Sequence, residues 1–119
     1  TFVGFQLPSF FHNNVEFVVV EEMPVFRNGN ADLMRYLSEN IKYPTVSAEQ
    51  GVQGRVVVQF VVGVHGEILN PVVVKSVDPY LDKEAIRVIS SMPKWKPGKQ
   101  RGKAVRVKYT VPVVFRLQS

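Results

Sequence analysis

The clearest pattern in the chain is a strict alternation of apolar and polar residues near its C-terminus. Within residues 104–117 every second side chain is apolar or aromatic, from Val105 to Leu117, and most residues between them are polar or basic. Because successive side chains of a strand point to opposite faces, this pattern predicts one long strand with a buried and an exposed face. Residues 52–77 form two further β-rich runs around the glycines of GVHGE, which predicts a hairpin.

Two stretches have helical rather than strand periodicity. Between Leu81 and Met92 the apolar residues recur at helical spacing and form a single stripe, while Asp78 and Pro79 are typical of a helix start. The sequence therefore predicts a helix over residues 79–92 that packs on one face of the sheet.

An earlier helix is predicted over residues 31–41, with Asn30 as its N-cap. Pro44 ends this helical region, because its ring excludes the preceding residue from helical dihedral angles and its nitrogen has no proton. A second short helical turn is expected to follow at once and to close at Gly51. We expect this break to turn the chain so that Tyr43 packs against the sheet.

Two prolines predict the order of the strands. Pro71 lies in the second hairpin strand and Pro112 in the last strand, and proline is tolerated mainly at sheet edges. The first hairpin strand should then lie in the centre. The predicted fold class is α+β, with a three-stranded antiparallel sheet of order 2-1-3, a helix on one face, an N-terminal strand within residues 15–24 and short helices.

Length and composition indicate one globular domain. The chain has 119 residues, of which 45% are hydrophobic and 21% charged, and it has no cysteine. Residues 1–14 are rich in phenylalanine but lack periodicity, so we interpret them as a tail or linker and residues 15–119 as the domain. Because the chain begins at Thr1 without a basic leader, we expect it to be part of a longer protein.

Charge and motif screening favour a binding module over an enzyme. No acidic residue follows Glu84, whereas nine Lys and Arg residues do, and such a basic region can attract nucleic acid or an acidic partner. Trp95, however, follows the amphipathic helix directly and is interpreted as a core residue, so we expect no nucleic-acid partner. His12 and His65 have no carboxylates spaced to form a metal set, and no nucleophile motif is present. We therefore expect no catalytic activity, no metal and no cofactor.

An ordered set of residues resembles the C-terminal domain of the TonB family over about residues 38–118. The lead-in segment EEMPVFRNGNADLMRYLSENIKYP is also similar to that of one branch of the family, although Arg27 and Asn28 replace an expected Pro-Gly. The matching positions are Tyr43-Pro44, Gly51, Gly54, the alternating Val56, Val58 and Phe60, Gly66, Ser76, Leu81-Asp82, Ala85, Val88, WKPG (95–98), Gly102 and FRL (115–117).

The resemblance implies a periplasmic domain of an energy transducer that is anchored in the inner membrane of a Gram-negative bacterium. Such a domain binds the TonB box of an outer-membrane transporter, which joins its sheet as an added strand, and an N-terminal segment contacts inner-membrane motor proteins. The resemblance also implies that the polar residue Asn40, just before Tyr43 and Pro44, borders the captured peptide. Its amide is able both to donate to and to accept from a peptide backbone.

The sequence pattern also indicates a binding edge, the free side of the last strand, independently of the resemblance. An edge strand exposes unpaired N–H and C=O groups, and strand addition uses them. If Pro112 faces the free side, the free donors belong to residues of its parity, and basic side chains among them should attract acidic residues near the box. These donors are Arg106, Lys108, Thr110, Val114 and Arg116.

Two alternatives to the transducer are open at this point. A TonB-like domain also ends other envelope proteins, such as membrane-bound sensor metallopeptidases, in which it binds different ligands. The same open edge is also able to pair with itself in a homodimer. The residues upstream of Thr1 would distinguish a transducer from a sensor metallopeptidase. Light scattering with and without a box peptide would distinguish peptide binding from homodimer formation.

Overall fold

The computed structural model describes residues 16–118, which form three helices and five strands. The sheet is mixed and the helices cover one of its faces. The elements in chain order are β1 (Glu16–Phe17), α1 (Asn30–Asn40), α2 (Thr45–Glu49), β2 (Gly54–Val62), β3 (Ile68–Lys75), α3 (Pro79–Ser90), β4 (Gly98–Gln100) and β5 (Lys103–Phe115).

The sheet is built around the antiparallel pairing of β2 with β5. These two strands are in register over nine residue pairs, from Gly54 opposite Phe115 to Val62 opposite Val107. β3 pairs with the other side of β2, and its Pro71 lies in this edge strand as the sequence predicts. The order of the sheet is β1-β5-β2-β3, and β4 pairs with the beginning of β5.

The α+β class is confirmed, but the three-stranded sheet of order 2-1-3 is not. β1 adds a parallel strand beside β5, and β4 adds a short antiparallel one, so the described sheet has five strands and is mixed. Only Glu16 and Phe17 of the expected strand within 15–24 form β1, and Val15 lies outside the described residues. β4, with three residues, is too short to show a period of two, which is why the sequence does not predict it.

The core lies between the sheet and the helices. Val56, Val58, Phe60 and Val62 of β2 are fully buried, and the face they form packs against Leu81, Ala85, Val88 and Ile89 of α3 and Leu33 and Leu37 of α1. Val64, which has the same parity, is 37% exposed because the strand ends at Val62. Burial of these side chains is the main favourable term in folding.

The helix ends follow local sequence signals, with one correction. Asp78 caps α3 by accepting a hydrogen bond from the N–H of Leu81, and Pro79 occupies the first turn, as predicted. For α1, Gly29 rather than Asn30 is the N-cap, and Asn30 is already helical. The Asn30 side chain forms no capping bond there but accepts a long hydrogen bond, 3.5 Å, from the hydroxyl of Tyr109.

Trp95 is buried in an aromatic cluster, as the sequence predicts, and is therefore not available to stack on a nucleic-acid base. Its ring packs edge-on against Phe60, Phe26 and Tyr109, with centroid distances of 5.5, 5.6 and 4.9 Å. The backbone beneath it is equally constrained, because the Trp95 N–H donates to the Gly66 carbonyl at 2.8 Å. A Cβ atom added to Gly66 would overlap the carbonyl oxygen of Trp95.

Gly66→Ala should destabilise the fold much more than Gly102→Ala. Both glycines have similar left-handed backbone angles, φ 82 and 76, but an added Cβ at Gly102 meets no atom within 4 Å. Gly102→Ala should therefore cost only the left-handed conformational penalty, about 1–2 kcal/mol. Gly66→Ala adds the overlap with the Trp95 backbone. Urea unfolding measures both values, and equal losses would contradict the close approach.

Candidate functional site

Pro112 determines which backbone groups of β5 face away from β2. Pro112 lies opposite Val57 in the β2–β5 register and has no N–H to donate. Residues along an antiparallel pair alternate between hydrogen-bonded and non-hydrogen-bonded positions. We infer that the Val57–Pro112 pair is a non-hydrogen-bonded one. The even-numbered residues of β5, Thr110 and Val114 among them, then direct their N–H and C=O groups to the opposite side.

Part of this outer side is already occupied by β1. Glu16 is in parallel register with Arg106 and Phe17 with Val107, so Arg106 is not on a free edge, and this part of the expectation is corrected. The Glu16 carboxylate also lies 3.7 Å from the Nζ atom of Lys108. The row of potential donors predicted from Arg106 onwards is therefore shorter, and β1 shows that the edge accepts a strand.

The remaining edge, from Thr110 to Arg116, has no strand partner on this side among residues 16–118. Thr110 and Arg116 are exposed, and Val114 is 45% exposed. α1 runs beside this edge and encloses a small groove with a cavity of about 70 Å³. Its lining consists of Met34, Leu37, Ser38 and Ile41 from the α1 side and Pro112, Val113 and Val114 from β5.

Asn40 is anchored within the fold by two hydrogen bonds. Its Nδ2 atom donates to the Tyr36 carbonyl at 2.8 Å, and its own backbone carbonyl accepts from Nη2 of Arg87 at 2.9 Å. This bond uses one of the two N–H donors of the exposed Asn40 amide, and the expected contact with a peptide backbone stays a prediction. The side-chain oxygen is not engaged in any of these bonds.

Tyr43 and Pro44 lie between α1 and α2, and Tyr43 contacts the sheet. The Tyr43 ring packs edge-on against Phe115 at 5.6 Å, and its hydroxyl donates to the Val52 carbonyl. Burial, together with the nearby Asp78 carboxylate, raises the pKa of Tyr43, so the phenol stays protonated as a donor at neutral pH. Pro44 is the N-cap residue of α2, with extended dihedral angles. Tyr43 therefore packs against the sheet as predicted.

Glu84 is a buried carboxylate that holds this connection in place. It accepts from the Lys42 N–H at 2.6 Å and from Nε and Nη2 of Arg87, each at 2.7 Å. Burial alone would raise the pKa of Glu84, but the bonds from Arg87 and Lys42 outweigh it, and the net pKa is lowered. The ionised form is thus the stable form in the folded protein.

Sequence reasoning did not identify Arg55 as part of the site. Arg55 lies opposite Val114 in the β2–β5 register, and with Arg116 it lines an open cavity of about 310 Å³ at the end of the free edge. The alternation places Arg55 on the outward parity of β2, but only the strand register brings it beside Arg116. The α1 groove was not predicted either, because it depends on how α1 packs beside β5.

Neither a metal site nor a membrane-spanning helix is found within residues 16–118. No group of three or more His, Cys, Asp or Glu residues there is able to hold a metal ion. In the same range, the helices are too short and too polar to cross a membrane.

Comparisons with known proteins place this geometry in a family. The family model described as Gram-negative bacterial TonB protein C-terminal matches residues 39–117. Two solution NMR structures of the Helicobacter pylori TonB C-terminal domain have the same fold. The shorter fragment is 22% identical with a TM-score of 0.58, and the match covers 75% of this chain and 94% of that one. The longer fragment is 20% identical with a TM-score of 0.58, covering 79% and 90%. No curated protein sequence matches the chain.

Glu84→Gln should flatten the acid dependence of stability. The pKa of Glu84 is lower in the folded state than its ordinary value of 4.5, so its contribution is fully present above that value and is lost as pH falls through the lowered pKa. At neutral pH the substitution should cost about 1.5–3 kcal/mol, because charged hydrogen bonds to Lys42 and Arg87 are weakened. The measurement is the free energy of unfolding between pH 7 and pH 3. An unchanged acid dependence would contradict this role, and Glu49→Gln, at an exposed position, is the control.

Proposed function

This chain belongs to the Gram-negative bacterial TonB protein C-terminal family, and we propose on that basis that it is the partner-binding domain of an energy transducer. The domain acts in the periplasm of a Gram-negative cell. It captures the TonB box of an outer-membrane transporter, and an N-terminal segment of the transducer links it to the inner membrane and its motor proteins. Its task is to bind and transmit force, without catalysing a reaction.

The observation that carries this proposal is the accessible row of backbone groups on β5. From Thr110 to Arg116, β2 is the only strand partner of β5 among the described residues, and the other side is exposed. Unpaired edge groups are the usual template for strand addition. β1 already uses the neighbouring part of the same edge, which supports a strand as the natural ligand.

The side chains on either side of the edge supply specificity. A strand added here directs alternate side chains towards the α1 groove and towards the outer face. The groove offers apolar contacts from Met34 and Ile41, whereas the outer face carries Lys108 and Arg116. A peptide with apolar residues on one face and acidic or polar residues on the other fits both surfaces.

The expected affinity is weak to moderate. Each backbone hydrogen bond contributes about 1 kcal/mol net, and ordering the peptide offsets part of that gain. Pro112 removes one donor from the middle of the row, so the ladder has a gap there. A contact of this strength can form and break repeatedly, as a cycle of force transmission requires.

Thr110→Pro should abolish binding of TonB-box peptides while the domain stays folded. The substitution removes an outward N–H that is not needed for pairing with β2, so the sheet is retained and the peptide ladder loses a donor next to the gap at Pro112. Thr110→Ala keeps the N–H and should bind like the unmodified chain. Titration of ¹⁵N-labelled protein with a panel of box peptides measures both variants.

The same titration locates the contact. Amide shifts should concentrate between Thr110 and Arg116 and along α1. Equal peptide affinity for Thr110→Pro and Thr110→Ala would exclude this edge as the acceptor, and unfolding of Thr110→Pro in circular dichroism would show that its N–H faces β2 instead.

A further inference from the structure

We propose that Arg55 and Arg116 form a carboxylate subsite that binds an acidic side chain of the captured strand, at the residue opposite Val114. This inference rests on the proposed strand addition and specifies one feature of the partner. The family match and the related structures assign no residue of the chain to such a subsite.

The subsite lies where the free edge ends. Arg55, the second residue of β2, is opposite Val114 on β5, and register partners lie on the same face of a sheet. Arg116 is the first residue after β5, which ends at Phe115. The two arginines and Val114 line the same cavity of about 310 Å³, which Gln53, Gly54 and Phe115 complete.

Both guanidinium groups lack an acidic partner among residues 16–118. The ion pairs in this range involve Arg35, Arg87, Lys108 and His65, and none involves Arg55 or Arg116. The Gln53 side chain is engaged elsewhere, since its Oε1 atom accepts from the Leu117 N–H at 2.6 Å. Two unpaired cations around one cavity favour an anion, and a planar carboxylate matches the forked geometry of a guanidinium group.

β1 provides an internal example of the same arrangement. It runs parallel to β5, and Glu16, in register with Arg106, reaches the cation two residues further along, Lys108. The same offset applied to the free edge places an acidic residue opposite Val114 within reach of Arg116. Residues opposite Thr110 or Pro112 have no such cation two residues further along, because Pro112 and Val114 stand there. Among residues opposite Thr110, Pro112 and Val114, the charge requirement is therefore restricted to the one opposite Val114.

The test uses capped heptapeptides in which a single glutamate is moved along a neutral strand. The parent peptide is acetyl-TVTVTVT-amide, which spans Thr110 to Arg116 with its threonines on the outer face. In the parallel direction, glutamate at the fifth position lies opposite Val114, and glutamate at the first or third position does not. We expect the fifth-position peptide to bind about three- to fivefold more tightly than the other two, and this preference to shrink at high salt.

Arg116→Ala and Arg55→Ala should each reduce the preference for the fifth position without changing the affinity of the parent peptide. Lys103→Ala is the matched control, because it removes the same charge at the opposite end of β5, roughly 40 Å from Arg116. All three positions are exposed, so the variants should fold normally. Affinities come from NMR titration of the ¹⁵N-labelled chain, which also reports whether the peptides contact the edge.

The possible outcomes separate this inference from the proposed function. Binding at Thr110–Arg116 with a fifth-position preference that is lost in Arg116→Ala supports the subsite. Binding at that edge with no positional preference, or with a preference that survives both arginine substitutions, overturns the subsite but leaves strand addition standing. If no peptide shifts the amides of the edge, strand addition fails, and the subsite fails with it.

Discussion

The pairing of β2 with β5 is the constraint on which the rest of this domain depends. Its nine-pair register places Val56, Val58 and Phe60 under the helices and directs the basic Arg55, together with residues such as Val114, to the opposite face of the sheet. A slip of one residue would move every core side chain to the solvent face, so the hydrophobic pattern holds the register firmly. The same register sets Val57 opposite Pro112, and this alignment in turn decides which backbone groups point outward. The core and the candidate site are thus two results of one alignment.

The sequence predicts the elements that are long enough to show a hydrophobic period, but not the features that depend on contacts between distant residues. β2, β5 and α3 have continuous patterns of 9, 13 and 12 residues, and each is found close to its expected bounds. β4 was not predicted, and only two residues of the strand expected within 15–24 form β1; both short strands pair with β5. The candidate site likewise has a part that the sequence predicts and a part that it does not. Pro112 alone indicates the outward row of β5, whereas Arg55 and the α1 groove emerge only once strand register and helix docking are known.

The break of the helix at Tyr43-Pro44 has a structural explanation in Glu84. Arg87 bonds both to Glu84 and to the Asn40 carbonyl at the end of α1, while Glu84 accepts the Lys42 N–H just beyond it. These contacts satisfy backbone groups that a helix end leaves open. Pro44 then redirects the chain so that the Tyr43 ring reaches Phe115, at the end of β5. The wall of the groove is consequently tied to α3 and not only to its own helix.

The second margin of the sheet, β3, differs from β5 in a way that limits assembly. Pro71 lacks a donor, Asn70 has a left-handed backbone with φ 50, and the register with β2 shifts twice. Irregular edges of this kind resist the docking of further chains. One margin of the domain is thus open to a further strand, whereas the irregular backbone of the other is poorly suited to pairing. Under the proposed strand addition, each domain should take up a single strand, and one open margin for each domain does not support an open-ended array.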